Sequence, residues 1–154
     1  MKYSNTQLSW LVILRIAIGW HFLYEGMVKL MNPNWSSVGF LLDSNGFLES
    51  FFYSLSSDPS LVYLIDLLNI WGLILIGLGL ILGFLARPAC IFGIILLSMY
   101  YLSHPPFAGL RYAVPSEGSY LIINKTLIEL IALAVLFVFP SSSFVGIDRF
   151  IFKK

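Results

Sequence analysis

The chain has 154 residues, 58% of them hydrophobic and 11% charged, with a formal net charge of +1. Soluble domains carry about 25% charged residues, so the composition excludes an ordinary soluble globule and points to one integral membrane domain over residues 1–154. No basic run offers a nucleic-acid surface, and the single cysteine, Cys90, excludes an intrachain disulfide, a paired-thiol redox motif and a cysteine-ligated iron–sulfur cluster.

The first predicted element covers residues 8–31. It is long and apolar enough to span a bilayer, yet it carries Arg15, His21, Glu25 and Lys29. At helical spacing the four side chains fall within an arc of roughly 120°, opposite a face of Leu, Ile, Val, Phe and Trp. Ionisable groups at this depth face a bundle interior or a watery cavity, so the charged stripe requires partners from elsewhere in the chain. The charges, and the lack of a small-residue cleavage site, argue for a retained helix rather than a signal peptide.

Asn32-Pro33 ends that helix. The connection 32–60 contains two apolar pieces, 38–42 and 47–55, too short to span; they read as interfacial or re-entrant caps, with an ordered surface loop as the alternative. A second helix is predicted over 61–85, with Asp66 and Asn69 near its start and Gly79 and Gly83 spaced for close contact. The third covers 88–103 and stops at His104-Pro105-Pro106. The fourth covers 120–139, with Asn124, Lys125 and Glu129 in its first half, and ends at Pro140. The tail, 141–154, mixes aromatic and basic residues and reads as a short interfacial helix. The expected fold is therefore all-α, a four-transmembrane-helix bundle with an interfacial or re-entrant segment after the first helix. Lys2, Arg87, Arg149, Lys153 and Lys154 share one side, which places both termini in the cytoplasm.

At 1.5 Å per residue, Glu25, Asp66 and Lys125 lie roughly 7–9 Å from the outer helix ends, and His21, Asn69 and Glu129 roughly 12–15 Å in. Three acids and two lysines thus meet in the outer half, leaving one acid inclined to hold a proton or share one with His21. The site expected from this convergence has His21, Glu25, Asp66 and Glu129 as proton carriers, and Lys29, Asn69, Asn124 and Lys125 as groups that hold a ligand oxygen. The competing reading is a set of salt bridges that only fixes helix register. His21 and His104 differ in depth by something like 15 Å, which disfavours a bis-histidine heme within one chain, and no metal site is expected. Arg15 is expected to meet lipid phosphate or a neighbouring helix, Cys90 to pack, and Trp10, Trp35 and Tyr100-Tyr101 to anchor at the interface.

The string LRIAIGWHFLYEGMVKLMNP resembles the signature of the DoxX family, through Arg15, Gly19, Gly26 and Lys29, and the Asn124-Lys125…Glu129-Leu130 stretch is similar too. The 32–60 insert and the His-Pro-Pro loop are less typical of its short members. The resemblance implies a four-helix, multi-pass protein of the bacterial inner membrane. The family includes the small membrane subunit of thiosulfate:quinone oxidoreductase, so the resemblance also implies a quinone-linked role, with ubiquinone or menaquinone as cofactor.

The sequence carries no dinucleotide fingerprint for NAD or flavin, so electrons would come from the cofactor of a redox partner protein. The leading expectation is a quinone-binding, proton-relaying subunit of an oxidoreductase complex, rather than an enzyme alone. The alternative is a non-catalytic membrane anchor or assembly factor for a periplasmic oxidoreductase, acting through the loops 32–60 and 104–119. A small-solute or proton-coupled carrier ranks third and would call for a homo-oligomer, which the sequence leaves open.

Overall fold

The structure, a computed structural model, describes residues 3–107, 109–113 and 121–151. Among these the elements are all helical: α1 (Asn5–Met31), α2 (Val38–Leu42), α3 (Glu49–Ser56), α4 (Pro59–Leu82), α5 (Ala86–Ser103), α6 (Lys125–Val138) and α7 (Asp148–Ile151). Helices α1, α4 and α5 are long and apolar enough to cross a membrane. The end of the bundle holding α2 and α3 is called the cap end below. The end holding the N-terminus, the α4–α5 turn and α7 is the tail end.

Local chemistry explains where the helices begin. Ser4 and Gln7 form a reciprocal capping box at α1: the Gln7 N–H donates to Ser4 Oγ and the Ser4 N–H donates to Gln7 Oε1. Asp58 caps α4 by accepting from the Ser60 N–H at 2.8 Å, with Pro59 in the first turn. The predicted second helix ran to residue 85, but α4 stops at Leu82 because Gly83 takes the left-handed conformation (φ 62°) that closes a helix. Leu85 is left-handed as well (φ 50°), and α5 starts directly after it, two residues before the predicted start.

The predicted fourth helix, 120–139, is corrected at its start. Residue 120 lies outside the described residues, and α6 begins only at Lys125, where Asn124 Oδ1 accepts the Leu127 N–H at 2.9 Å. Leu121 sits at φ 65°, outside helical geometry. The apolar run Leu121–Ile123 mimics a helix by hydropathy, but the cap sets the boundary. With 14 residues α6 is about 21 Å long, shorter than the roughly 30 Å hydrocarbon core.

The two main packings are α1 on α4 and α5 on α6, with α4 against α5 joining them. Ile18, Phe22, Leu73, Ile76, Leu80, Cys90, Leu97, Leu133 and Leu136 make the core. Helices α1 and α4 touch nearly backbone to backbone. A Cβ on Gly77 would stand 2.5 Å from the Leu23 backbone nitrogen, and one on Gly26 2.7 Å from Ile74 Cγ1. The contact expected at Gly79 and Gly83 is made chiefly by Gly19, Gly26 and Gly77. Trp20 (62% exposed) and Trp71 (47% exposed) point outward, as suits side chains bathed in lipid.

At the tail end, the segment after α6 folds back over the α4–α5 turn. The Ile147 and Asp148 N–H groups donate to the carbonyls of Leu82 and Gly83. The Asp148 carboxylate accepts the N–H groups of Leu85 (2.7 Å) and Ala86 (3.1 Å), capping α5 from across the chain.

Candidate functional site

The polar groups predicted to converge fall into three separate sets. The first bridges α1 and α6. His21 Nδ1 and Glu129 Oε1 lie 2.8 Å apart and share a hydrogen bond. The imidazole is half-exposed and the carboxylate 14% exposed, so the pair sits at a seam rather than inside the core. Glu25, one turn nearer the cap end on the same stripe, is exposed and has no hydrogen-bond or ion-pair partner among the described residues. Lys125, one turn before Glu129, is also exposed. His21 is about 15 Å from the cap end of a helix about 40 Å long, which puts the pair at hydrocarbon depth if α1 spans the membrane.

The second set lies between α1, α4 and α5. Lys29 Nζ donates to Asn69 Oδ1 at 3.0 Å and to the Tyr100 hydroxyl at 3.5 Å, and the Asn69 amide donates to the same hydroxyl. The ammonium also stands 5.0 Å from the centre of the Trp35 ring, a cation–π arrangement that stabilises a partly buried charge. Lys29 and Asn69, both expected to hold a ligand oxygen, therefore bond to one another, while Tyr100 and Trp35 were read only as interface anchors. Tyr100 lies four residues before His104 on α5, and that spacing is the signal in the sequence that could have found it.

The third set is spent on backbone. Asp66 Oδ1 accepts the Ser37 N–H at 2.8 Å and so fixes the start of α2 against α4. Asn124 caps α6. Neither reaches the His21–Glu129 pair through any hydrogen bond in the described residues.

A fourth cluster at the cap end was not singled out in the sequence. The His104 ring stacks on Phe40 (centroids 4.0 Å, interplanar 27°) and lies 4.7 Å from Tyr112. Its Nδ1 is 3.0 Å from Ser103 Oγ, and its buried Nε2 points at Asp43 Oδ2 from 3.6 Å, too far for a hydrogen bond. Asp43 Oδ1 accepts the Ala113 N–H, and Tyr112 donates to the Pro105 carbonyl. Burial holds the His104 pKa below its ordinary value, against the pull of Asp43. Burial, aided by Asp43, pushes the Tyr112 phenol up. Ser103 is 0% exposed, so this serine–histidine–aspartate chain is closed to a substrate.

Arg15 faces neither lipid nor solvent. It is 3% exposed, donates from Nη1 to Ser141 Oγ at 3.3 Å, and packs its guanidinium on Gly83, where a Cβ would stand 3.1 Å from Nη1. Cys90 is buried, as a packing residue should be. No group of three or more histidine, cysteine, aspartate or glutamate side chains among the described residues is arranged to hold a metal ion.

Chemically, the seam set is the one that can exchange protons with a bound molecule. It pairs a carboxylate with an imidazole, both open on one side, and flanks them with a second carboxylate and an ammonium. The Lys29 set donates hydrogen bonds but is largely occupied by its own partners. No curated protein and no solved structure matches the chain significantly. A family model described as DoxX matches residues 10–105, a stretch that takes in α1 from Trp10 onward, the connection with α2 and α3, α4 and α5.

Proposed function

The chain belongs to the DoxX family, and from that membership together with the seam geometry we propose that it is the membrane subunit of a quinone-linked oxidoreductase. In this reading it sits in the bacterial inner membrane with four crossings, α6 being the short fourth, and both termini cytoplasmic. A partner protein supplies electrons from its own cofactor. A bound quinone would accept two electrons and two protons. The His21–Glu129 pair, half-open at hydrocarbon depth, is the observation that carries the reading. A polar pair left facing lipid is costly unless a polar ligand or partner occupies it.

The residues present fit a quinone headgroup. His21 can donate a hydrogen bond to a ring oxygen while Glu129 holds the imidazole's other nitrogen, which fixes its orientation. Glu25, one turn nearer the cap end, can pass protons between that pair and the cap-end surface, and Lys125 balances the negative charge. Lys29 and Asn69 would support the wall of the site rather than hold the ring oxygen directly, because each already engages Tyr100. Asp66 and Asn124 would act at a distance, by fixing α2 and the start of α6.

Purification of the assembled complex from native membranes, with organic extraction and mass spectrometry, tests this. Bound quinone near one per chain, lost in His21→Ala and Glu129→Gln, is the expected result. A second reading, a non-catalytic anchor for a periplasmic oxidoreductase, is favoured by the internal use of Asp66, Asn124, Lys29 and Asn69. It predicts a co-purifying partner without quinone, released by substitutions in the 32–58 connection and retained in Glu129→Gln.

A further inference from the structure

The seam between α1 and α6 continues past the His21–Glu129 pair toward the tail end. There it opens into a groove of about 710 Å³ lined by Tyr3, Thr6, Gln7, Trp10, Leu11, Leu14 and Phe139. The two contacts share one register. Leu11 precedes His21 by ten residues, and Phe139 follows Glu129 by ten, so the two helices run antiparallel with pair and groove about 15 Å apart along one seam. Leu14, Ala17 and His21 follow one another at helical spacing on α1. In the same antiparallel register Leu133 falls opposite Ala17, and Ala132, three residues after Glu129, stands beside it, so two small side chains border the stretch between groove and pair. The groove is apolar over Trp10, Leu11, Leu14 and Phe139 and turns polar at Tyr3, Thr6 and Gln7, around the start of α1.

We propose that this seam is one amphiphile-binding channel, with a polar head at His21–Glu129 and an apolar tail lying over Ala17 in the groove. The occupant is the isoprenoid tail of a quinone. The inference rests on the quinone reading above and adds the tail's path and direction, away from the cap end. Three observations favour this occupant over a membrane phospholipid. With α1 spanning the membrane, the polar pair lies at hydrocarbon depth, where a quinone ring fits and a phosphate headgroup does not. The pair and the groove share one seam. The far end of the groove is walled by uncharged Thr6 and Gln7, with no charged side chain among the lining residues. Because lipid chains are as apolar as the groove, tail binding gains little from the hydrophobic effect; packing and the tether to the head select the position. The tail's location, rather than overall affinity, is therefore the property to measure.

The full chain in lipid nanodiscs is irradiated with a benzoquinone whose alkyl tail ends in a diazirine, and the adducts are mapped by mass spectrometry. Adducts are expected on residues 3–14 and at Phe139. They should fall about tenfold under a tenfold excess of a natural tailed quinone, as competition for one site requires. Ala17→Trp, which fills the passage, should move the adducts out of the groove without removing competition at the head. Competed adducts on the α4–α5 face would overturn the tail path and leave the head site standing. Groove adducts displaced by phospholipid but not by quinone would assign the groove to acyl chains and overturn the proposal. No competed adduct anywhere would remove the quinone reading itself.

Discussion

A carboxylate and an imidazole 2.8 Å apart share one hydrogen bond, and substitution of either should leave the other without its partner at the seam. Glu129→Gln keeps the side chain's shape and its hydrogen-bond acceptor but cannot carry a proton. Quinone reduction by the assembled complex should drop about 10²–10⁴-fold, with the thermal midpoint of the purified chain nearly unchanged. Equal activity in the variant would exclude the relay. His104 gives a second prediction at this scale. Its folded pKa lies below the unfolded value because the ring is buried between Phe40 and Tyr112. Stability is therefore complete above the unfolded pKa of about 6.5 and declines as pH falls from there toward the lower folded pKa. Melting curves between pH 7.5 and 5 should show this decline, and His104→Gln should flatten it. Of these residues, His21 and Glu129 were legible because depth can be counted along a helix. The His104 cluster was not, because Phe40 and Asp43 reach it from the short α2 and its cap and Tyr112 from a loop, pieces whose placement no periodicity reveals.

Helices α1 and α4 are held together by an absence of side chains. A methyl group at Gly77 would meet the Leu23 nitrogen and the Gly19 carbonyl, both backbone atoms that cannot swing aside. Gly77→Ala should cost about 1–3 kcal/mol or more, measured by unfolding in detergent. Gly72→Ala on the same helix, with open space around the added atom, should be neutral or slightly stabilising. The sequence marked Gly79 and Gly83 as contact positions on spacing alone and passed over Gly77. Spacing says which glycines share a face and leaves open which face meets a partner. The same limit explains α6: hydropathy runs smoothly through Leu121–Ile123, while the helix waits for the Asn124 cap. The short α2 and the longer α3 were readable because each is an apolar run too short to span, bounded by Ser, Asn, Gly and Asp.

For the whole molecule, the distribution of basic residues predicts which end meets the cytoplasm. With buried Cys90 as a silent background, Ser57→Cys should react with an impermeant maleimide from the periplasmic side. Arg149→Cys should react only after the membrane is opened. Bundle class and the three long spans were evident from hydropathy. The return of the tail was not, because it depends on Asp148 meeting two backbone N–H groups more than sixty residues earlier. That clasp has a consequence for biogenesis. The first turn of α5 leaves the ribosome well before Asp148 is made, so its N–H groups stay uncapped and Arg15 lacks Ser141 until the 141–148 segment has emerged. The nascent bundle thus stays open at the tail end until the segment from Ser141 to Asp148 has emerged, and that segment closes it. A chain ended at Pro140 by a premature stop would keep all three long spans and α6 yet never close. Pulse-chase labelling should show it inserted and then degraded by membrane proteases, while the full chain persists.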